Sequence, residues 1–399
     1  MTLREKIEQK IRERGPIAFS CYMEMCLYDP ELGYYCRNAA QFGRAGDFYT
    51  SSDVHAVFGR VLARQFEEMW PALGSPRQIE ILELGPGRGL FAQDVLDWSE
   101  KKFPEFFHAL HYSLMERSPA LRARLQATLE RQLSAGKASL VLPQGLKPSI
   151  CDGLSGTAEV VPPEPQIPRA LATEVPAIVF ANEFLDALPV EVLSPEGKLF
   201  VAVQDGRFAE TWAPASAEEL EFLDQHGVHP EAGERVEVPL AAQAYMAQVA
   251  AAVQHGFLIA IDYGYTREEQ LVGRHRGTVM AFRQHSASVN PYEAPGEQDI
   301  TAHVNFTALA AAAQKNGMQT HPLLTQSQFL MGIGEKNQFA DAFEECRLPQ
   351  ERAKVVLQLK HLVTPAGMGE SFHVLVASKG VDQEKIAGLS GLSFGKTRF

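Results

Sequence analysis

Between residues 83 and 116 the chain sets two carboxylates and three glycines in an order that suits a charged ligand. Glu83-Leu84-Gly85-Pro86-Gly87-Arg88-Gly89 closes a short apolar run and leads into a helical pattern from about Leu90. Glycines there let the backbone turn sharply and let a ligand approach it. A helix N-terminus adds free N–H groups and positive potential, so an anionic or zwitterionic group can sit against the loop. Glu83 can face a cationic group of such a ligand. Glu116, at the end of the next apolar run, can accept hydrogen bonds from both hydroxyls of a ribose.

The glycine spacing narrows the ligand. A dinucleotide site wants G-x-G-x-x-G, with the third glycine packing helix against strand. Here the third glycine, Gly89, comes one residue early and Leu90 takes its place. The resulting G-x-G-x-G is the pattern of S-adenosylmethionine-binding methyltransferases. A dehydrogenase is the weakest rival on this ground.

Strand ends must position these groups. Residues 79–84 (IEILEL), 111–115, 177–181 (AIVFA) and 257–261 (FLIAI) are short continuous apolar runs, separated by helical patterns such as 121–133 and 240–253. That alternation predicts an α/β fold with a mostly parallel sheet covered on both faces. A helix at 306–316, a strand near 319–324, helices at 337–346 and 350–363, and a last strand at 371–378 predict an antiparallel closing strand. Residues 199–211 read as a hairpin around Asp205-Gly206, a two-residue turn signal. Cys151 to Pro176 is rich in Pro, Gly and Ser and reads as a surface loop. The organisation expected is an N-terminal helical region and cofactor lid over 1–75, a Rossmann-like core over 76–265 with an inserted hairpin and helical cap near 191–255, and completion of the sheet over 266–399.

Composition limits the partners. The chain has 399 residues, 45% hydrophobic and 22% charged, with a net charge of −12. These are the proportions of a globular protein. The acidic balance and the lack of a long Lys/Arg run argue against nucleic acid as the main partner. No apolar stretch approaches the ~20 residues of a membrane span. The N-terminus has no apolar h-region, and Glu5, Glu8 and Glu13 argue against a presequence, so a cytoplasmic location is expected. Cys21, Cys26 and Cys36 stand at no zinc-binding spacing, and no metal site is expected.

With those residues in hand, the chain resembles the MidA-like family of S-adenosylmethionine-dependent methyltransferases. That family includes the mitochondrial complex I assembly methyltransferase and bacterial relatives. The matching segments are YDPELGYY (28–35), GDFYTSSDVHAVFG (46–59), ELGPGRG (83–89), ANEFLDALPV (181–190), IDYGY (261–265), PGEQDITAHVNF (295–306) and LSGLSFG (389–395). They span nearly the whole chain in the family's order. Asn305 departs from the Asp usual there, and the segment before ANEFLDALPV is longer and richer in proline, which puts the third strand in question.

The resemblance implies a class I methyltransferase fold, S-adenosyl-L-methionine as cofactor, and methyl transfer to a protein arginine with symmetric dimethylation. Carboxylates can hold a guanidinium by bidentate hydrogen bonds. Glu183 is the expected guanidinium binder, Asp186 its assistant and Asn182 a positioning amide. Gly46, Asp47 and Tyr49 are expected to fold over the cofactor. Asp262 and Tyr263 would line the pocket. Asp299 and His303, read as one helical turn apart, form a candidate acid–base pair on the acceptor side. A protein is the expected substrate. The rival readings are a non-catalytic assembly factor on the same fold and a small-molecule methyltransferase. The sequence leaves the oligomeric state open.

Overall fold

The computed structural model describes residues 1–37, 56–142, 174–283 and 286–394. Gly46, Asp47 and Tyr49 and most of the proline-rich segment lie outside them.

After helix α1 (Leu3–Arg14) come β1 (Ile17–Ala18) and α2 (Phe19–Tyr28). The long α3 (Ala56–Ala72) leads to β2 (Ile79–Leu84), α4 (Leu90–Lys102), β3 (Leu110–Met115) and the short edge strand β4 (Ala138–Val141). The next core strand is β5 (Ala177–Asn182). An insertion follows, with β6 (Glu191–Ser194), β7 (Gly197–Gln204), β8 (Arg207–Ala213), α5 (Ala217–His226) and β9 (Val236–Val238). Then α6 (Leu240–Ala252) returns the chain to the core strand β10 (Gly256–Tyr265). Small strands β11 (Met280–Arg283), β12 (Ser286–Ser288), β13 (Asp299–Thr301) and β14 (Val304–Asn305) precede α7 (Phe306–Lys315). Two-residue strands β15 (Gln319–Thr320) and β16 (Leu324–Thr325), helices, and β17 (Phe372–Lys379) complete the core.

The central sheet runs β15-β17-β10-β5-β2-β3-β4. Strands β4, β3, β2, β5 and β10 run parallel to one another, and β17 is antiparallel to β10. This is the expected mostly parallel sheet with an antiparallel last strand. The last strand is not the edge, because β15 and β16 flank it.

The continuous apolar runs have a plain cause: both sheet faces are buried. Ile79 and Ile81 of β2 join a core with Phe66, Phe91 and Phe180, whereas Leu82 and Leu84 join Tyr245, Met246 and Leu309 on the other face. The inserted strands form a second sheet, β1-β7-β6-β9, in which β1 pairs with β7. The N-terminal helices therefore pack with the cap: Ile7, Phe19 and Tyr22 share a core with Val192 and Val201. The hairpin turns where expected, with Asp205 and Gly206 at φ 49° and 72°, the conformation a two-residue primed turn requires.

Several expected elements differ. The third strand, in question from the sequence, is present as β4. The helix expected over 121–133 is two, Pro119–Thr128 and Glu130–Ser134. The helix expected over 337–346 shrinks to Ala340–Phe343, because Gln338 and Phe339 both take φ of 55°. Among the described residues no helix is long and apolar enough to cross a membrane.

Candidate functional site

The Gly-rich loop is shaped by left-handed backbone. Gly85, Gly87 and Gly89 have φ of 63°, 53° and 77°. A Cβ on Gly85 would stand 2.6 Å from Cδ2 of Phe184, so a bare α-carbon is needed where the NEFLD turn crosses the loop. Among the described residues, a Cβ on Gly87 would meet no atom within 4 Å beyond its own chain neighbours. That approach, with the N–H groups of the first turn of α4, which the helix's own carbonyls do not serve, is what a ligand lying on the backbone needs.

Two acids flank the opening. Glu83 is 5% exposed and accepts the Tyr112 hydroxyl at 2.8 Å. Burial pushes its carboxyl up to about 8, and the Tyr112 bond only partly opposes this. Glu116 is 8% exposed and accepts the Ser118 N–H at 2.8 Å. Burial pushes it up to about 7 against backbone N–H bonds from Ser118, Arg117 and Gly87. Neither acid faces bulk water. A cationic amino or sulfonium group beside Glu83 and ribose hydroxyls on Glu116 would supply the partners that favour their charged forms. The residues present fit that ligand.

At the ends of β5 and β10 a second group of carboxyls converges. Asn182 is the last residue of β5 and donates from Nδ2 to Oε1 of Glu183 at 3.1 Å. Glu183 turns the chain with φ 49° and donates its N–H to the Ile261 carbonyl. Asp186 is 4% exposed. Burial, and then the neighbouring carboxyls of Asp262, Asp299 and Glu183, push it well above the usual carboxylate range. Asp262 does not line an open pocket. Its carboxylate faces inward and accepts the N–H groups of Phe184, Leu185 and Asp186.

Asp299 and His303 do not share a helical turn. Asp299 begins β13, and His303 lies in the link before β14. Asp299 joins the acid group and accepts the Tyr35 hydroxyl at 2.7 Å. His303 stacks on Tyr263 at 6.2 Å, and burial lowers it to about 4, leaving the ring neutral near pH 7. Asn305, in place of Asp, caps α7. Its Oδ1 accepts the Ala308 N–H and its Nδ2 donates to the His226 carbonyl. A carboxylate could make only the first of these bonds.

Sequence reasoning missed the contacts of Tyr28 and of Tyr35, which donates to Asp299. The YDPELGYY segment folds back beside α2, and Tyr28 donates to the Ala187 carbonyl at 3.0 Å, next to the acid turn. Tyr28 also lies under Arg117, the residue after Glu116. Tyrosine spacing alone carries no sign of either contact. Asp262 as a clamp was also missed.

A parallel sheet of this order, a left-handed glycine loop after its central strand, and a buried acid at the end of the next strand define a class I S-adenosylmethionine-dependent methyltransferase. The comparisons with known proteins agree. A model of the Methyltransf_28 family, S-adenosyl-L-methionine-dependent methyltransferases, matches residues 61–324. The chain belongs to this family, and its cofactor is S-adenosyl-L-methionine. It is 28% identical over 397 residues to "Protein arginine methyltransferase NDUFAF7 homolog, mitochondrial" of Drosophila melanogaster, covering 95% of this chain and 85% of that protein. Identity to the Homo sapiens protein arginine methyltransferase NDUFAF7 is 27%, over 91% of this chain and 80% of the relative. A superfamily member from Burkholderia thailandensis, solved bound to S-adenosyl-homocysteine, superposes with a TM-score of 0.79 at 29% identity, covering 95% of this chain and 92% of that one.

The expected location is overturned. The curated relatives are mitochondrial proteins, which contradicts the expected cytoplasmic location. The acidic residues that argued against a presequence belong to α1, whose Leu3, Ile7 and Ile11 are buried in the body of the protein. Glu5 caps the helix with Thr2 and Glu8 pairs with Arg4, so these acids serve α1 itself and carry no information about an address.

Proposed function

We propose that this methyltransferase acts on the guanidinium of a protein arginine. The observation that carries the reading is the convergence of Glu183, Asp186, Asp262 and Asp299 at the turn whose Phe184 packs on Gly85 of the Gly-rich loop. A buried group of acids beside the cofactor loop favours a cationic acceptor. The relatives' name, protein arginine methyltransferase, supports the same acceptor at 27–29% identity, and the resemblance extends it to symmetric dimethylation.

In this reading Gly85, Gly87 and Gly89 offer backbone to the cofactor, Glu83 faces its cationic end and Glu116 takes the ribose hydroxyls. Gly46, Asp47 and Tyr49 lie outside the described residues and stay candidates for its cover. The cofactor, when bound, would supply a methyl group on a sulfonium whose sulfur departs as a neutral thioether, with no general acid required. The protein's own work is orientation, which supplies up to about 7–11 kcal/mol in favourable cases. Glu183 holds two guanidinium N–H groups and takes the proton that the attacking nitrogen sheds. Asn182 orients the Glu183 carboxylate. Asp186, beside Glu183 at the same turn, assists with a further hydrogen bond. His303, neutral and stacked, shapes the wall beside Tyr263.

The test is transfer of label from methyl-labelled S-adenosylmethionine into a lysate of cells lacking the gene, followed by hydrolysis and chromatography of the amino acids. The expected product is symmetric dimethylarginine, lost with Glu183→Ala. Label in another amino acid or in a small molecule would overturn the arginine reading.

A further inference from the structure

Asp262 ends the apolar part of β10 and is 1% exposed. Its Oδ2 accepts three successive N–H groups, from Phe184, Leu185 and Asp186, at 3.2, 2.9 and 3.2 Å. Its Oδ1 accepts the Tyr263 N–H at 2.9 Å. Consecutive N–H groups aimed at one oxygen form a backbone nest, the concave arrangement that binds anions. Here the protein fills the nest with its own carboxylate.

What the nest holds is a strained turn. Glu183 stands at φ 49°, a region that residues with a side chain rarely adopt and that persists only where the surroundings enforce it. The strand pairing sets the height of the clamp, since Ile261 lies opposite Asn182 and Asp262 follows directly. The far side of the turn bears on the cofactor loop through Phe184 and Gly85. Moving the turn therefore moves Glu183 and Phe184 relative to the Gly-rich loop together.

We propose that Asp262 is the positioning residue of the reaction: by clamping the 183–186 turn it sets the distance and angle between Glu183 and the transferring methyl group. The proposal rests on the reading of Glu183 as the acceptor-binding group. Asp262 itself faces away from the reacting atoms and acts through the turn.

Two variants test it. Asp262→Asn keeps one oxygen for the three N–H groups, whereas Asp262→Leu removes every acceptor. Binding of S-adenosylhomocysteine should stay within about threefold of wild type for Asp262→Asn, because the Gly-rich loop and its acids are untouched. Label transfer into the lysate should fall in kcat by roughly 10- to 100-fold, with the KM for S-adenosylmethionine unchanged, as expected for a misplaced reactive group. Asp262→Leu should lose more, and amide exchange at 184–186 should speed up while β5 and β10 stay protected. If Asp262→Leu fails to fold, the kcat and KM split of Asp262→Asn decides. Wild-type transfer rates, unchanged exchange at 184–186 in a folded Asp262→Leu, or a loss of transfer matched by an equal loss of cofactor affinity would overturn the proposal and leave the arginine reading intact. Label on a residue other than arginine would sink that reading alone. If wild type labels nothing, exchange at 184–186 alone decides whether Asp262 holds the turn.

Discussion

Replacing Glu83 by glutamine should change how tightly the protein holds S-adenosylhomocysteine as pH varies. In the ligand-free protein burial raises Glu83 to about 8 and Glu116 to about 7. At pH 7 they therefore bind roughly 0.9 and 0.5 of a proton. A ligand that brings a cationic amino group and ribose hydroxyls favours both charged forms, so binding should release up to about 1.4 protons at that pH. Affinity should rise with pH. Glu83 alone accounts for roughly 50-fold between pH 6 and pH 8. Calorimetry in two buffers of different ionisation heat measures the released protons. Glu83→Gln should bind more weakly at pH 8 and lose most of the pH dependence. Stability carries the opposite sign. The folded state binds this proton more tightly than the unfolded state, so the ligand-free protein loses stability as pH climbs from about 4.5 to about 8. The loss is at most about 5 kcal/mol at roughly 1.4 kcal/mol per pKa unit, and Glu83→Gln should remove it. A wild-type affinity that is flat in pH with no buffer dependence, or the same pH profile in Glu83→Gln, would refute this reasoning.

Further predictions follow from single side chains. Gly87→Val puts a β-branched residue at φ 53° and its Cβ into the open approach, so S-adenosylhomocysteine binding should disappear from calorimetric titrations while the sheet stays folded. Asn305→Ala removes a helix cap and a buried bond to the His226 carbonyl, and denaturant unfolding should register a loss of about 2 kcal/mol. His303 sits at about 4 in the folded protein against an ordinary value of 6.5, so it withdraws stability as pH falls through that interval. His303→Gln should accordingly flatten the acid side of the melting-temperature profile between about pH 6.5 and pH 4.

The core strands were legible because burial on both faces leaves an unbroken apolar run. Ile79–Leu84 matches to the residue. β10 runs on through Asp262 to Tyr265, beyond its apolar stretch, because its polar end still pairs with β17 and β14. β4 went unseen since it is an edge strand with only Ala138 fully buried. The acids Glu83, Glu116 and Glu183 were legible because strand ends fix where they stand. Asp262's partners lie 76 to 78 residues upstream, and Tyr35 meets Asp299 across 264 residues. Such pairs arise from sheet order and from the packing of the N-terminal segment on the cap, which no local pattern encodes.

The most direct measurement is a crystal structure of this protein with S-adenosylhomocysteine. The ribose hydroxyls should lie on the Glu116 carboxylate, the amino-acid end beside Glu83 over Gly87, and the sulfur facing the turn that carries Glu183. A ligand bound elsewhere, or one in this crevice with its sulfur turned away from Glu183, would contradict this arrangement.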